Sequence, residues 1–372
     1  MEFHIGRDTF LYGIQKTLGI VERKTTIPIL NNILLRTEDD RIKIVATDKE
    51  IGLISRYDAK VSVPGDITLS AKKLYEMVRE IQGETVHFVK NDQHQVTMTS
   101  GKAIYRIPGL PADEYPQVVE VENVPLYRIS GPMLAELIRK IVFAVSTDEI
   151  RVHLNGAFLE TEGAGQDARL KMVATDGHRL AVALGPVGSS GGMELEKGVI
   201  IPRKGLGEIR KIAAEEQEVE IGCDHGMFIM KTKNLTIKVS LIDAEYPDYR
   251  RVIPTEKGAS LHFGRDKVLH ALRRMSVISN DRYNGVIVTL GKDLMVLNSN
   301  NPDVGEANDE IEVSYAGEEE VGVSYNVNYL IDAIEVIDEE EVSMEINVGM
   351  KPGVIRGLGN DNYLCIVMPL KL

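Results

Sequence analysis

Asp176-Gly177-His178-Arg179 places a carboxylate, an imidazole and a guanidinium within four positions, the side chains of acid/base chemistry. Residues two apart need share no geometry, however, and no G-x-S-x-G or comparable nucleophile motif accompanies them. The histidines, His4, His87, His94, His153, His178, His225, His262 and His270, show no metal-ligand spacing. Cys223 and Cys365 lie 142 positions apart without a C-x-x-C, which suggests neither a disulfide framework nor a zinc site. Gly188-Ser189-Ser190-Gly191-Gly192 lacks the Gly-Lys-Ser/Thr of a phosphate loop and reads as a flexible surface turn. Glu318-Glu319-Glu320 and Asp338-Glu339-Glu340-Glu341 lack calcium-loop spacing. The expectation is a protein with no catalytic residues, no metal and no cofactor. An enzyme built around Asp176, His178 and Arg179 is the alternative, and it would lose chemistry on replacement of His178.

The 372 residues suggest two or three domains, with 43% hydrophobic and 27% charged residues, the balance of a folded chain. The net charge of −13 excludes a protein that coats nucleic acid by bulk positive charge. No apolar run reaches the ~18 residues of a membrane span. Met1-Glu2-Phe3-His4-Ile5-Gly6-Arg7-Asp8 lacks the basic-then-apolar pattern of a signal peptide. A cytoplasmic protein with no membrane partner is expected.

The elements around these residues come in threes. A strand followed by a helix opens three segments: Phe3–Ile5 with Arg7–Gly19, Tyr127–Ile129 with Pro132–Val145, and Leu261–Phe263 with Asp266–Ile278. Val45-Ala46-Thr47-Asp48 recurs as Val173-Ala174-Thr175-Asp176, and degenerately as Leu297-Asn298-Ser299-Asn300. A second strand-to-helix passage follows each, with helices predicted over Ala71–Ile81, Lys204–Ala214 and Asn328–Ile337 and an anchoring leucine at Leu74, Leu206 and Leu330. Glu114-Tyr115-Pro116 and Glu245-Tyr246-Pro247 close the first two copies. Alternating strands favour antiparallel sheets. The predicted architecture is α+β, three repeated domains over residues 1–125, 126–257 and 258–372.

Charge is unevenly shared. Five predicted helices with their flanks (7–24, 71–82, 132–146, 203–214, 265–279) hold 17 Lys and Arg against 7 Asp and Glu, while the rest of the chain holds 26 against 49. Lys and Arg are good helix formers, but so is Glu, which is scarce there. The sixth helix carries Asp332 and Glu335 and no base. Basic helices facing inward in a curved array, each ~10 Å wide, would leave a bore of ~9 Å in one chain, ~28 Å in two and ~47 Å in three. The pair suits duplex DNA. A scaffold that never encircles DNA is the other reading of the same repeats.

Several runs carry a family resemblance: Ile27-Pro28-Ile29-Leu30, Leu154-Asn155-Gly156, Ala174-Thr175-Asp176-Gly177-His178-Arg179-Leu180-Ala181, Ile201-Pro202-Arg203-Lys204-Gly205, Tyr246-Pro247-Asp248-Tyr249-Arg250-Arg251-Val252 and Val367-Met368-Pro369-Leu370-Lys371-Leu372. Collinear over essentially the whole chain, they resemble the bacterial DNA polymerase III sliding clamp (β subunit). The resemblance implies three clamp domains with antiparallel sheets outside and two helices per domain facing a central channel. It implies a ring-shaped, head-to-tail homodimer around double-stranded DNA, held by topology without sequence-specific contact. The ring would confer processivity on the polymerase, and the polymerase and clamp-loader subunits would attach through short hydrophobic peptide motifs.

By matching position, the resemblance places Lys24, Arg151, Arg203, Lys204 and Arg251 near DNA. It departs from the family pattern where Asp148, Val152 and His153 stand at positions that can hold polar or aromatic DNA contacts. It implies a partner-peptide pocket walled by Leu154, Thr175, Gly177, His178, Arg179, Leu180, Pro247, Val252 and the terminal Ile366, Val367, Met368, Pro369, Leu370, Lys371 and Leu372. The apolar terminus itself suggests packing against something, which a terminal strand completing a sheet explains equally well. Ring closure would set Lys102, Tyr105 and Ile107 against Val277, Ile278, Glu306, Asp309 and Glu310.

Overall fold

The computed structural model describes all residues except 22–26, 121–122, 164–167, 188–194, 196, 257, 280–283, 318, 347–349 and 372. Lys24, Leu372 and the turn Gly188–Gly192 therefore lie outside the described residues. Six α-helices occur among those described: α1 (Arg7–Gln15), α2 (Ala71–Glu80), α3 (Gly131–Ile141), α4 (Arg203–Ala213), α5 (Arg265–Ile278) and α6 (Val327–Glu335). Each begins directly after a strand. Side-chain caps mark two of these starts. Ser70 Oγ accepts the Lys73 N–H at 3.5 Å before α2, and Asn326 Oδ1 accepts those of Asn328 and Tyr329 at 2.9 and 3.3 Å before α6. Helix α1 stops short of the expected Gly19. There the Thr17 hydroxyl donates to the Ile14 carbonyl at 2.6 Å, a local bond that competes with continued helix. Leu74, Leu206 and Leu330 are all buried, as their repeated spacing predicts.

The triplication returns as one pairing scheme used three times. The first strand of each repeat pairs antiparallel with the first strand after the second helix: Glu2–Gly6 with Thr85–Lys90, Tyr127–Ser130 with Glu218–Asp224, and Ala259–Gly264 with Glu341–Ile346. Between the two helices of each repeat runs an antiparallel meander, centred on Arg41–Thr47, Arg169–Thr175 or Leu294–Asn301. The degenerate Asn298-Ser299-Asn300 lies in the last of these, so it occupies the equivalent place despite its altered residues.

The chain folds as two compact units, residues 1–132 with 207–241, and residues 133–206 with 242–372. The first holds a five-stranded and an eight-stranded sheet. In the larger, Leu235–Ser240, the last strand of the second repeat, pairs with Ile51–Asp58 of the first, Ile237 opposite Leu53. In this unit Phe3 stacks on Phe88 at 4.6 Å and meets Phe10 edge-on at 6.2 Å. The second unit holds a nine-stranded and a four-stranded sheet. Here Tyr363–Val367, the last strand of the third repeat, pairs with Arg179–Pro186 of the second, Ala181 opposite Cys365. Both junctions cover strand edges that would otherwise expose unpaired N–H and C=O groups. Residues of the middle repeat thus fall in both units.

The acidic sixth helix has a local explanation. Asp332 accepts a hydrogen bond from Arg179 at 2.6 Å, and Glu335 one from Arg273 of α5 at 2.7 Å. Its carboxylates are counter-ions for arginines of neighbouring elements. Burial pushes the Cys223 thiol up to about 11 and Cys365 to about 12. Neither thiol should react appreciably with iodoacetamide at pH 8 in the native state, and mass spectrometry should find full labelling only in denaturant. Rapid native labelling of Cys365 would contradict its place in the sheet.

Candidate functional site

The Thr-Asp repeat builds a turn. At the end of Arg169–Thr175 the Thr175 hydroxyl donates to the Arg179 carbonyl at 2.6 Å and accepts the Gly177 N–H at 3.1 Å. Asp176 Oδ1 accepts the N–H groups of His178 and Arg179 at 2.9 and 3.1 Å. In the first repeat Thr47 and Asp48 make the same bonds around Lys49, Glu50 and Ile51. Gly177 has φ +89°, and a Cβ there would stand 2.7 Å from Arg151 Nη1, so glycine is required twice over. The Tyr-Pro repeat ties down this strand. Tyr115 accepts the Thr47 N–H and donates to the Asn32 carbonyl, both at 3.1 Å, and Tyr246 donates to the Val173 carbonyl at 3.4 Å. Burial pushes both phenols up, keeping them neutral donors.

In the second unit this turn forms one wall of an apolar cavity of about 290 Å³. Leu154, Thr175, Gly177, His178, Arg179, Leu180, Pro247, Val252, Ile366 and Met368 line it, all expected from the resemblance. His153, Asp248 and Tyr249 line it as well and were not anticipated. His153 and Asp248 adjoin expected residues, and the helical turns Val152–Leu154 and Tyr249–Val252, the latter capped by Asp248, bring all three in. The terminal segment has two roles. Tyr363–Val367 completes the sheet, with Val367 wholly buried, and the Met368 N–H then donates to the His178 carbonyl at 2.9 Å, leaving its side chain at the cavity. Pro369, Leu370 and Lys371 do not line it; the Leu370 N–H instead donates to the Ser324 carbonyl at 2.7 Å. A second cavity of about 310 Å³ shares Val252 and Met368 and is also lined by Lys351 and Pro352.

Arg179 is the polar centre of this wall, its side chain only 10% exposed. It donates to Asp176 at 3.0 Å, to Asp332 at 2.6 Å and to the Phe143 carbonyl at 2.6 Å, and lies over the Phe143 and Tyr329 rings. This saturation rules it out as a mobile acid. His178 stacks near Tyr329 at 6.3 Å. In Asp176-His178-Arg179 the carboxylate is committed to the turn N–H groups and the guanidinium.

The described DNA candidates Arg151, Arg203, Lys204 and Arg251 all belong to the second unit. Arg203 donates to the Val145 carbonyl at 3.4 Å, while Arg151 and Arg251 pair with Asp148 and Asp248. Basic residues on the helices are widely paired, as in Arg139 and Lys140 with Glu136 and Asp338, and Lys211 with Glu208. The proposed closure residues lie on or beside two edge strands, except Val277 and Ile278 at the end of α5. Tyr105 and Ile107 lie on Ala103–Pro108, with Lys102 just before it; Glu306, Asp309 and Glu310 lie on Gly305–Glu312. Ile107 is buried and Ile104 is 58% exposed, so the outward apolar residue of the first edge is Ile104. Val277 is exposed at the end of α5, and Asp309 already binds Arg274 at 2.8 Å.

Three strand–helix repeats joined through shared sheets define the DNA-clamp class of fold. Family models for the DNA polymerase III beta subunit match in order: the N-terminal domain over residues 1–119, the central domain over 128–248 and the C-terminal domain over 250–371. The beta sliding clamp of Pseudomonas aeruginosa is 31% identical over 375 residues and that of Caulobacter vibrioides 33% over 378, each alignment covering both chains fully. The crystal structure of the P. aeruginosa DNA polymerase III subunit beta superimposes with a TM-score of 0.93 at 30% identity, and Caulobacter crescentus pol III beta with 0.91 at 31%, again over the whole of both chains. The chain belongs to the DNA polymerase III beta-subunit family. Its role is that of a DNA sliding clamp, a non-catalytic processivity factor of a family that binds DNA, forms dimers and tethers the polymerase and other proteins. No helix among the described residues is long and apolar enough to cross a membrane.

Proposed function

We propose that two chains close head to tail through the strands Ala103–Pro108 and Gly305–Glu312, and that the closed ring works on DNA in the cytoplasm. One observation carries this reading. Both junctions inside the chain join the last strand of one repeat to the last strand of the preceding repeat's meander. The first repeat's last strand and the third repeat's equivalent meander strand are edges of their sheets, and two identical heterologous contacts between them would close the ring. Lys102, Arg106 and Ile104 on one edge complement Glu306, Glu310 and Val277 near the other. In this reading the division into domains falls near residues 125 and 257, and Lys24, Arg151, Arg203, Lys204 and Arg251 meet the duplex. Negative-stain averaging should show closed rings of two chains, retained on circular DNA and lost when it is linearised. Monomers or open crescents alone would refute closure.

In the same reading the cavity between Leu180, Val252 and Met368 takes a short hydrophobic peptide from the polymerase or clamp loader. Val252 is 48% exposed, so Val252→Asp should leave stability nearly unchanged. A carboxylate in an apolar site should weaken peptide binding at least about tenfold. Fluorescence anisotropy with a labelled partner peptide reads this, and unchanged affinity would move the site elsewhere.

A further inference from the structure

The spacing Asp-x-x-Arg occurs three times in the chain, at Asp148/Arg151, Asp176/Arg179 and Asp248/Arg251. Each pair closes into an ion pair, at 2.9, 3.0 and 2.9 Å. Their surroundings differ. Arg179 is nearly enclosed and shared with Asp332 and the Phe143 carbonyl, so that pair is a structural tie. Arg151 and Arg251 have side chains 39% and 84% exposed, each drawn back onto its aspartate by a tight turn. Asp148 also accepts the Ile150 N–H at 3.0 Å, and that bond, followed by Arg151, holds its carboxyl below the usual range.

We propose that Asp148 and Asp248 are built-in counter-ions for Arg151 and Arg251, weakening this protein's grip on duplex phosphate. The inference rests on the reading that these arginines meet DNA. Phosphate binds cations by displacing their counter-ions, and each neutralised phosphate adds about 0.9 to the salt slope. A tethered carboxylate cannot leave. It stays beside the arginine, cancels its charge at a distance and must be displaced by each phosphate. Exposed pairs are weak, so the arginine remains exchangeable, handing over between successive phosphates without a long-lived bond. That suits a protein held on DNA by topology, for which tight contact would only slow sliding.

The test uses the full-length protein and a short fluorescent duplex, with affinity measured across a salt series. Asp148→Asn keeps an oxygen for the Ile150 N–H while removing the charge, and Asp248→Asn removes the charge at the second pair. Each should raise affinity by roughly two- to fivefold, and the double variant should steepen the slope of log K against log salt by about 1.8. Asp148→Ser and Asp248→Ser serve the same purpose should an asparagine variant fold poorly, as judged by its melting midpoint. Arg151→Ala with Arg251→Ala provides the reference. If that variant loses affinity while the aspartate variants gain none, the counter-ion role is refuted and the DNA-facing reading survives. If the arginine variant binds as well as wild type, the DNA-facing reading fails and the proposal falls with it.

Discussion

Arg179→Ala is expected to destabilise the second unit by about 3–5 kcal/mol, the usual consequence of removing one member of a buried ionic network. The side chain is nearly enclosed and its partners come from separate places: Asp176 in the adjoining turn, Asp332 on α6 and the Phe143 carbonyl after α3. Truncation leaves the two carboxylates without their shared cation and the carbonyl without that donor, and strips a planar group from the Phe143 and Tyr329 faces. Arg179→Lys should recover only part of the loss, because an ammonium cannot reproduce the guanidinium fork. Denaturant unfolding followed by circular dichroism measures both variants. A loss below about 1 kcal/mol for alanine would show that the network relaxes around the gap and that Arg179 is not the tie between turn and helix.

Ile104→Pro is expected to abolish ring closure while leaving each chain folded. In Ala103–Pro108 the Gly109 N–H donates inward to His94, and pairing runs Ile107 to Val96 and Tyr105 to Met98. Antiparallel alternation then turns the N–H groups of Ile104 and Arg106 outward, away from the sheet. Proline is tolerated at such an edge position, where no internal hydrogen bond is lost. It does remove a donor that an added strand would need, and it removes an exposed isoleucine. Each closure should weaken by about 1–3 kcal/mol from the unmet acceptor alone, roughly 5- to 150-fold, and both closures are affected. Sedimentation velocity at micromolar concentration should shift from dimer to monomer with an unchanged melting midpoint. A dimer surviving at wild-type affinity would place the interface on another edge.

The motifs most visible in the sequence proved to be structural parts. Thr47-Asp48 and Thr175-Asp176 repeat because the same turn needs a hydroxyl and a carboxylate to hold successive N–H groups. Tyr115 and Tyr246 repeat because a phenol must tie down the strand that carries that turn. Helix positions followed from apolar spacing to within a few residues; the early ends of α1 and α3 did not, one beside a threonine hydroxyl that competes with the helix and the other tightening into the single turn Val142–Ala144. Most of the cavity wall was legible through family resemblance. His153, Asp248 and Tyr249 were missed because single turns of helix, too short for a periodic signal, swing them inward.

Read alone, the sequence determined the three repeats, their antiparallel strands, the helices between them and the absence of a catalytic motif, since these depend on local periodicity and residue chemistry. Tertiary structure alone decided which repeat completes which sheet, because strand edges are satisfied by partners far away in the chain. It also decided which charges are free to act. The spacing Asp-x-x-Arg is identical at three places in the sequence, yet burial makes one pair a structural tie and exposure leaves the other two at the surface. An ion pair's worth is set by the solvent it has lost, and that quantity exists only once the chain has folded.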